Sequence, residues 1–148
     1  MKLALTIGHN LQISGGSYQP TTISGNPPWM APEQLGGLVL SFSADVWSFG
    51  VVCWELFTET LPWSEVSNDL WSMRQLVFEE GNHLPIPLTS SAPASIIEEV
   101  RAITMIMKLA FQRNPAARPQ MPWILSSLEA IEQRSTRVGG IYFENRCC

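Results

Sequence analysis

The chain has 148 residues, of which 45% are apolar and only 15% charged, with a net charge of −4. That length sets the scale of one domain with one good-sized core, and the acidic balance excludes the basic footprint of a nucleic-acid binder. Only two lysines occur, Lys2 and Lys108, so no polybasic patch exists for anionic lipids.

Three cysteines, Cys53, Cys147 and Cys148, form no disulfide framework, and a reduced, cytoplasmic setting is the expectation. The apolar run in "MKLALTI" is too short for a signal-peptide core. The stretch around residues 46–57 contains Ser48 and Glu55 and is too short to cross a bilayer. The terminal Cys147-Cys148 pair is similar to the prenylated end of small GTPases, but nothing else here is GTPase-like, which argues against lipidation.

In chain order, residues 2–7 read as a short strand. A long loop rich in Ser, Thr, Gly and Asn follows, with no acidic residue before Glu33. Loops of that length in compact domains carry function or remain unstructured. Pro32 suits the first turn of a short helix that Gly36-Gly37 ends. "SADVWSFGVVCWELFTET", residues 43–60, is a helix apolar on nearly every side, with Ser43 as a candidate cap and Asp45 in the first turn. Such a helix is expected to be buried on every side, at the centre of the fold.

After the turn at "LPW", Ser67 is the expected N-cap of a helix whose stripe is Leu70, Met73, Leu76 and Val77, stopped by Gly81. Asp69 lies near that helix's positive end. "HLPIPL" is an extended connector, because each proline holds its predecessor out of the helical region. Ser95 and Glu98 match a capping box, ahead of a helix carrying Ile96, Val100, Ile103, Met107 and Phe111. The last helix starts near Pro122 and turns Ile124, Leu128 and Ile131 inward, and residues 135–148 read as a flexible tail. The fold class is therefore mainly α.

Four motifs carry a resemblance: Ala31-Pro32-Glu33 within "PPWMAPEQL", "SADVWSFGVVCWEL", "LPW" at 61–63, and "RNPAARP" at 113–119. In this order and spacing they resemble the helical C-terminal lobe of a eukaryotic protein kinase of the tyrosine-kinase-like branch. Ala-Pro-Glu is one of the general kinase signatures. The resemblance implies a partial kinase domain over residues 1–134, with an activation segment at 6–33 and a helical subdomain at 34–134. It implies an ion pair between Glu33 and Arg118, and a role for Asp45 as anchor of a catalytic loop. It makes Ser17, Tyr18, Thr21, Thr22 and Ser24 candidate phosphosites, although a hydroxyl-rich loop also reads as plain solvated chain. It also implies that Asn26, Pro27 and Trp29 form a substrate lip. Asn26 departs from the threonine that serine/threonine kinases place there.

Phosphoryl transfer requires a nucleotide cradle, a lysine on the phosphates, a carboxylate on Mg²⁺ and a carboxylate at the attacking hydroxyl. The N-lobe and the His-Arg-Asp catalytic loop are missing from this sequence. Where the Mg²⁺-binding aspartate belongs, the two possible registers place Thr6 or Leu5, neither of which carries a charge. The expectation is a chain with no catalytic, cofactor or metal residues of its own, whereas a full-length parent would use ATP and Mg²⁺. His9 and His83 have no companions at metal spacing. One alternative is an active serine/threonine kinase whose N-terminal half is encoded upstream of Met1. Another is an unrelated helical interaction domain. A protein partner, or that missing half, is expected to cover the central helix over 45–57.

Overall fold

The computed structural model describes residues 16–20, 22–66 and 69–144, with side chains through residue 135 except that of Ser91. The expected strand at 2–7 lies outside these residues. A minimal antiparallel ribbon comes first: β1 (Ser17–Tyr18) pairs with β2 (Leu40–Ser41), Ser17 opposite Ser41 and Tyr18 opposite Leu40. Between them lie a 3-10 turn at Pro27–Trp29 and the short helix α1 (Pro32–Leu35). Pro32 opens α1 with its φ already helical and no N–H to satisfy. Gly36 closes it, and Gly37 supplies the left-handed turn at φ +66°.

Helix α2 (Ser43–Thr58) runs through the centre. Its cap is Phe42, not Ser43, and no side chain bonds that end. Ser43 is spent elsewhere: its hydroxyl and backbone N–H both meet the Ser41 hydroxyl. Ala44, Val46, Trp47, Gly50, Val51 and Trp54 are buried. The expected burial on every side does not hold. Asp45 is exposed, Phe49 and Val52 are half-buried, and Leu56 is 76% exposed. Steps of four, three and four residues put these positions on one helical face. Apolar composition reports that a helix wants cover all round; it does not report how many sides receive it.

Asp69 caps the next helix, accepting from the backbone N–H groups of Trp71 and Ser72 at 2.9 and 3.0 Å. Ser67, the expected cap, lies outside the described residues. Helix α3 (Leu70–Met73) continues directly into a wider π-helical stretch, Arg74–Glu79, closed by Glu80 N–H on the Gln75 carbonyl at 3.0 Å. Met73 and Val77 bury the expected stripe, while Leu70 stays at the surface. The connector at 83–88 is extended, and the Trp54 indole pins it by donating to the Pro85 carbonyl at 2.8 Å.

Helix α4 (Ile97–Ala110) has no capping box. It starts after Ile96, which leaves Ser95 outside the cap position and Glu98 one residue too early to reach back. Glu98 instead takes the exposed Arg101, 2.6 Å away. Glu98 and Glu99 still favour the helix start through its dipole. Helix α5 (Met121–Glu144) runs ten residues past the expected boundary at 134. No proline occurs after Pro122, and Gly139 and Gly140 each weaken a helix by only about 1 kcal/mol, so nothing forces a stop.

The main core gathers Leu35, Trp47, Val51, Met73, Met107 and Phe111. Trp47 and Phe111 meet at 5.2 Å in a tilted arrangement that suits their quadrupoles. A second cluster joins Val46 of α2 to Ile106 and Ala110 of α4 and Ile124 of α5, with Phe49 and Leu128 beside it. The architecture is a mainly helical one around α2.

Candidate functional site

The segment before α1 is held by a series of specific bonds. Within the 3-10 turn, Trp29 N–H donates to the Asn26 carbonyl and Met30 N–H to the Pro27 carbonyl, both at 3.1 Å. The Trp29 indole donates to Glu55 of α2 at 3.3 Å, and the Ser48 hydroxyl of α2 donates to the Trp29 carbonyl at 2.7 Å. Gln34 donates to the Ser24 carbonyl and Gln19 to the Gly37 carbonyl. Pro28 and Met30 are buried beneath, whereas Pro27 and Trp29 are half-buried and Asn26 is exposed. The residues expected to form the lip therefore rest against α2, which holds Trp29 through Glu55 and Ser48.

The base is tied to the far end of the chain by one ion pair. Glu33 of α1 accepts two hydrogen bonds from Arg118, Nη1 to Oε1 at 2.7 Å and Nη2 to Oε2 at 2.8 Å. Both side chains are buried. The guanidinium also donates to the carbonyls of Ser43, Gln112 and Arg113, and lies 5.2 Å from the Trp47 ring centre. All five N–H donors are used, which is the condition under which a desolvated guanidinium is tolerated. Arg118 thus joins α1, the start of α2 and the turn before α5.

Motif reading supplied the Glu33–Arg118 pairing; it missed Ser48, Trp47 and the carbonyls around Arg118. Backbone acceptors leave no mark in a sequence, and Trp47 carried only the signal of a core position.

Asp45, in the first turn of α2, makes no side-chain hydrogen bond or ion pair among the described residues. Although its side chain reaches solvent, the protein around it strips away part of its water and raises its carboxyl above the usual aspartate value. Of the candidate phosphosites, Ser17 and Tyr18 lie half-buried in β1, and Thr22 and Ser24 are exposed. Thr21, like Thr6, Leu5, Cys147 and Cys148, lies outside the described residues. Among the described residues, no three His, Cys, Asp or Glu side chains gather to hold a metal ion, and no helix is long and apolar enough to cross a membrane. What the arrangement offers is a rigid, shaped surface.

Comparison with known proteins agrees with this geometry. The family described as "Protein tyrosine and serine/threonine kinase" matches residues 10–128. Mitogen-activated protein kinase kinase kinase 10 of Mus musculus is 38% identical over 111 residues, covering 74% of this chain and 10% of that protein. Mitogen-activated protein kinase kinase kinase 11 of Homo sapiens is 33% identical over 114 residues, covering 77% of this chain and 12% of that protein. Mitogen-activated protein kinase kinase kinase 12 of Rattus norvegicus is 33% identical over 110 residues, 73% of this chain and 11% of that protein. The chain thus spans about a tenth of the length of the curated relatives it matches. With the kinase-like helical architecture, the Ala-Pro-Glu turn and this match over most of its length, the chain belongs to the protein tyrosine and serine/threonine kinase family, in its tyrosine-kinase-like branch.

Proposed function

We propose that this chain is the substrate-side part of a kinase domain, covering residues 1–134, that performs no phosphotransfer by itself and acts through binding. The observation that carries this reading is the fate of the first carboxylate. Glu33 is the first acidic residue in the sequence, and both of its oxygens are taken by Arg118. Residues 1–32 therefore offer no carboxylate to Mg²⁺ or to an attacking hydroxyl, two groups that phosphoryl transfer requires. The chain by itself is assigned no nucleotide or metal, and a cytoplasmic setting.

The open face of α2 supports a partner, either another protein or the N-terminal half of a kinase domain, over residues 45–57. Covering a large apolar side chain is worth about 1.5–3 kcal/mol, and Leu56 and the half-buried Phe49 and Val52 lie on that face. The isolated chain is then expected to self-associate. A monodisperse, cooperatively melting monomer in sedimentation and calorimetry would contradict this part of the reading.

A second reading is favoured by the span of the match, about a tenth of each relative: the chain is part of an active serine/threonine kinase that uses ATP and Mg²⁺. Two experiments separate the readings. Purified chain is titrated with Mg-ATP in a thermal-shift assay and tested for transfer of label from radioactive ATP to a peptide. No shift and no label are expected, and saturable micromolar binding or incorporation overturns the proposal. Reading the transcript upstream of Met1 then tests the alternative, which requires an in-frame glycine-rich loop and His-Arg-Asp.

A further inference from the structure

A cleft of about 440 Å³ lies apart from the open face of α2 and the lip. Pro32 of α1, Leu38 and Val39 ahead of β2, Phe78 of the π stretch and Pro115 form its apolar walls. Arg113 stands at its rim. The guanidinium is held in place by donating to the Phe78 carbonyl at 2.7 Å, and it lies over Gly81, where any β-carbon would collide with it. Among the described residues Arg113 has no carboxylate partner. The one acid in the lining of the cleft, Glu33, is already committed to Arg118.

We propose that this cleft is a docking site for a partner protein's extended segment, which inserts a large apolar side chain and sets an adjacent Asp or Glu on Arg113. Charge selects the occupant. The molecule carries −4 overall, so an acidic segment is disfavoured over most of its surface and accepted where a positioned guanidinium stands unopposed. Shape selects a segment over a small molecule. Leu38 and Val39 are 48% and 56% exposed and carry the apolar surface beyond the mouth of the cleft. A small ligand is held where its own surface is mostly enclosed. A segment presented by a partner brings its own cover to that open side. The π stretch is a further mark, because such widened turns concentrate at functional positions.

The test is selection of a random displayed-peptide library on the 148-residue chain, followed by fluorescence polarisation with a selected peptide. The expected winners pair Leu, Phe or Met with a neighbouring Asp or Glu. Converting that acid to its amide weakens binding roughly tenfold, the scale of one charge-assisted contact. Leu38→Asp, at an exposed position that leaves the core intact, abolishes binding. Arg113→Glu reverses the preference towards a lysine-bearing version of the peptide. Winners without acids, binding indifferent to Leu38→Asp, or failure to select any peptide overturns the proposal. So does self-association of the chain that Leu38→Asp abolishes, since the occupant would then be a second copy.

Discussion

Arg118 grips Glu33 across 85 residues of chain with two hydrogen bonds, one to each carboxylate oxygen, 2.7 and 2.8 Å long. The pair works as a clasp because the same guanidinium also donates to the backbone carbonyls of Gln112, Ser43 and Arg113. A planar five-donor fork does this and a point charge does not.

Arg118→Lys is therefore expected to destabilise the chain almost as severely as Arg118→Ala. Breaking a buried pair from one side costs about 3–5 kcal/mol, because the remaining charge is left uncompensated. Glu33→Ala should cost a similar amount. The double variant should fall short of the sum by about 1–3 kcal/mol, the coupling of residues in one network. Urea unfolding of the parent, Arg118→Ala, Glu33→Ala and the double alanine variant measures it. Additive costs would mean that the two side chains do not stabilise each other.

The reach of the sequence can be judged from such particulars. Glu33 and Arg118 lie in short motifs that can be read from residue types and order alone, so they were legible. The capping of α3 was only half legible: Ser67 and Asp69 are both good caps two residues apart, and local chemistry does not rank them. The π stretch was not legible, since Leu76 and Val77 fit an α-helical stripe equally well. That α2 needs a cover was anticipated over 45–57, but which of its residues stay open was hidden for a different reason. Phe49, Val52 and Leu56 are as apolar as the buried Val46 and Val51, and only the placement of α4 and α5 decides which of them are covered.

Gly50 marks a close approach of α2 and α4. A β-carbon there would lie 2.6 Å from the Ala110 β-carbon and 3.1 Å from the Phe111 ring. Gly→Ala inside a helix ordinarily gains about 1 kcal/mol. Overpacking against a backbone-anchored methyl costs roughly 1–3 kcal/mol, so Gly50→Ala is expected to lower stability, where an open site would raise it. Adding Ala110→Gly should recover much of the loss. Denaturation midpoints at unchanged slope are the readout, and a stabilised single variant would refute the close contact.

Asp45 sits in the first turn of α2, where the helix dipole favours its charged form, yet partial desolvation of this solvent-reaching carboxyl raises it above the ordinary value. The folded protein holds this proton more tightly than the unfolded chain does. Stability from that group is present at low pH and is lost as pH climbs through the raised folded value. Asp45→Asn removes the loss, so its melting temperature should exceed the parent's at neutral pH. The difference should shrink towards zero at acidic pH. A variant less stable than the parent at neutral pH would show that the charged form is welcomed.

Cys53, half-buried in α2, has its thiol pushed up to about 11 by burial. Only the thiolate reacts with alkylating agents. Against the ordinary value of 9.0 the thiolate fraction at mildly alkaline pH falls by roughly a factor of 100, two units of pKa. Iodoacetamide should modify Cys53 about that much more slowly in the native chain than in urea, as followed by mass spectrometry of the peptide that contains it. Each further unit of pH should speed the native reaction about tenfold up to pH about 10. Equal rates in buffer and urea would place Cys53 in contact with solvent and remove the reason for its raised value.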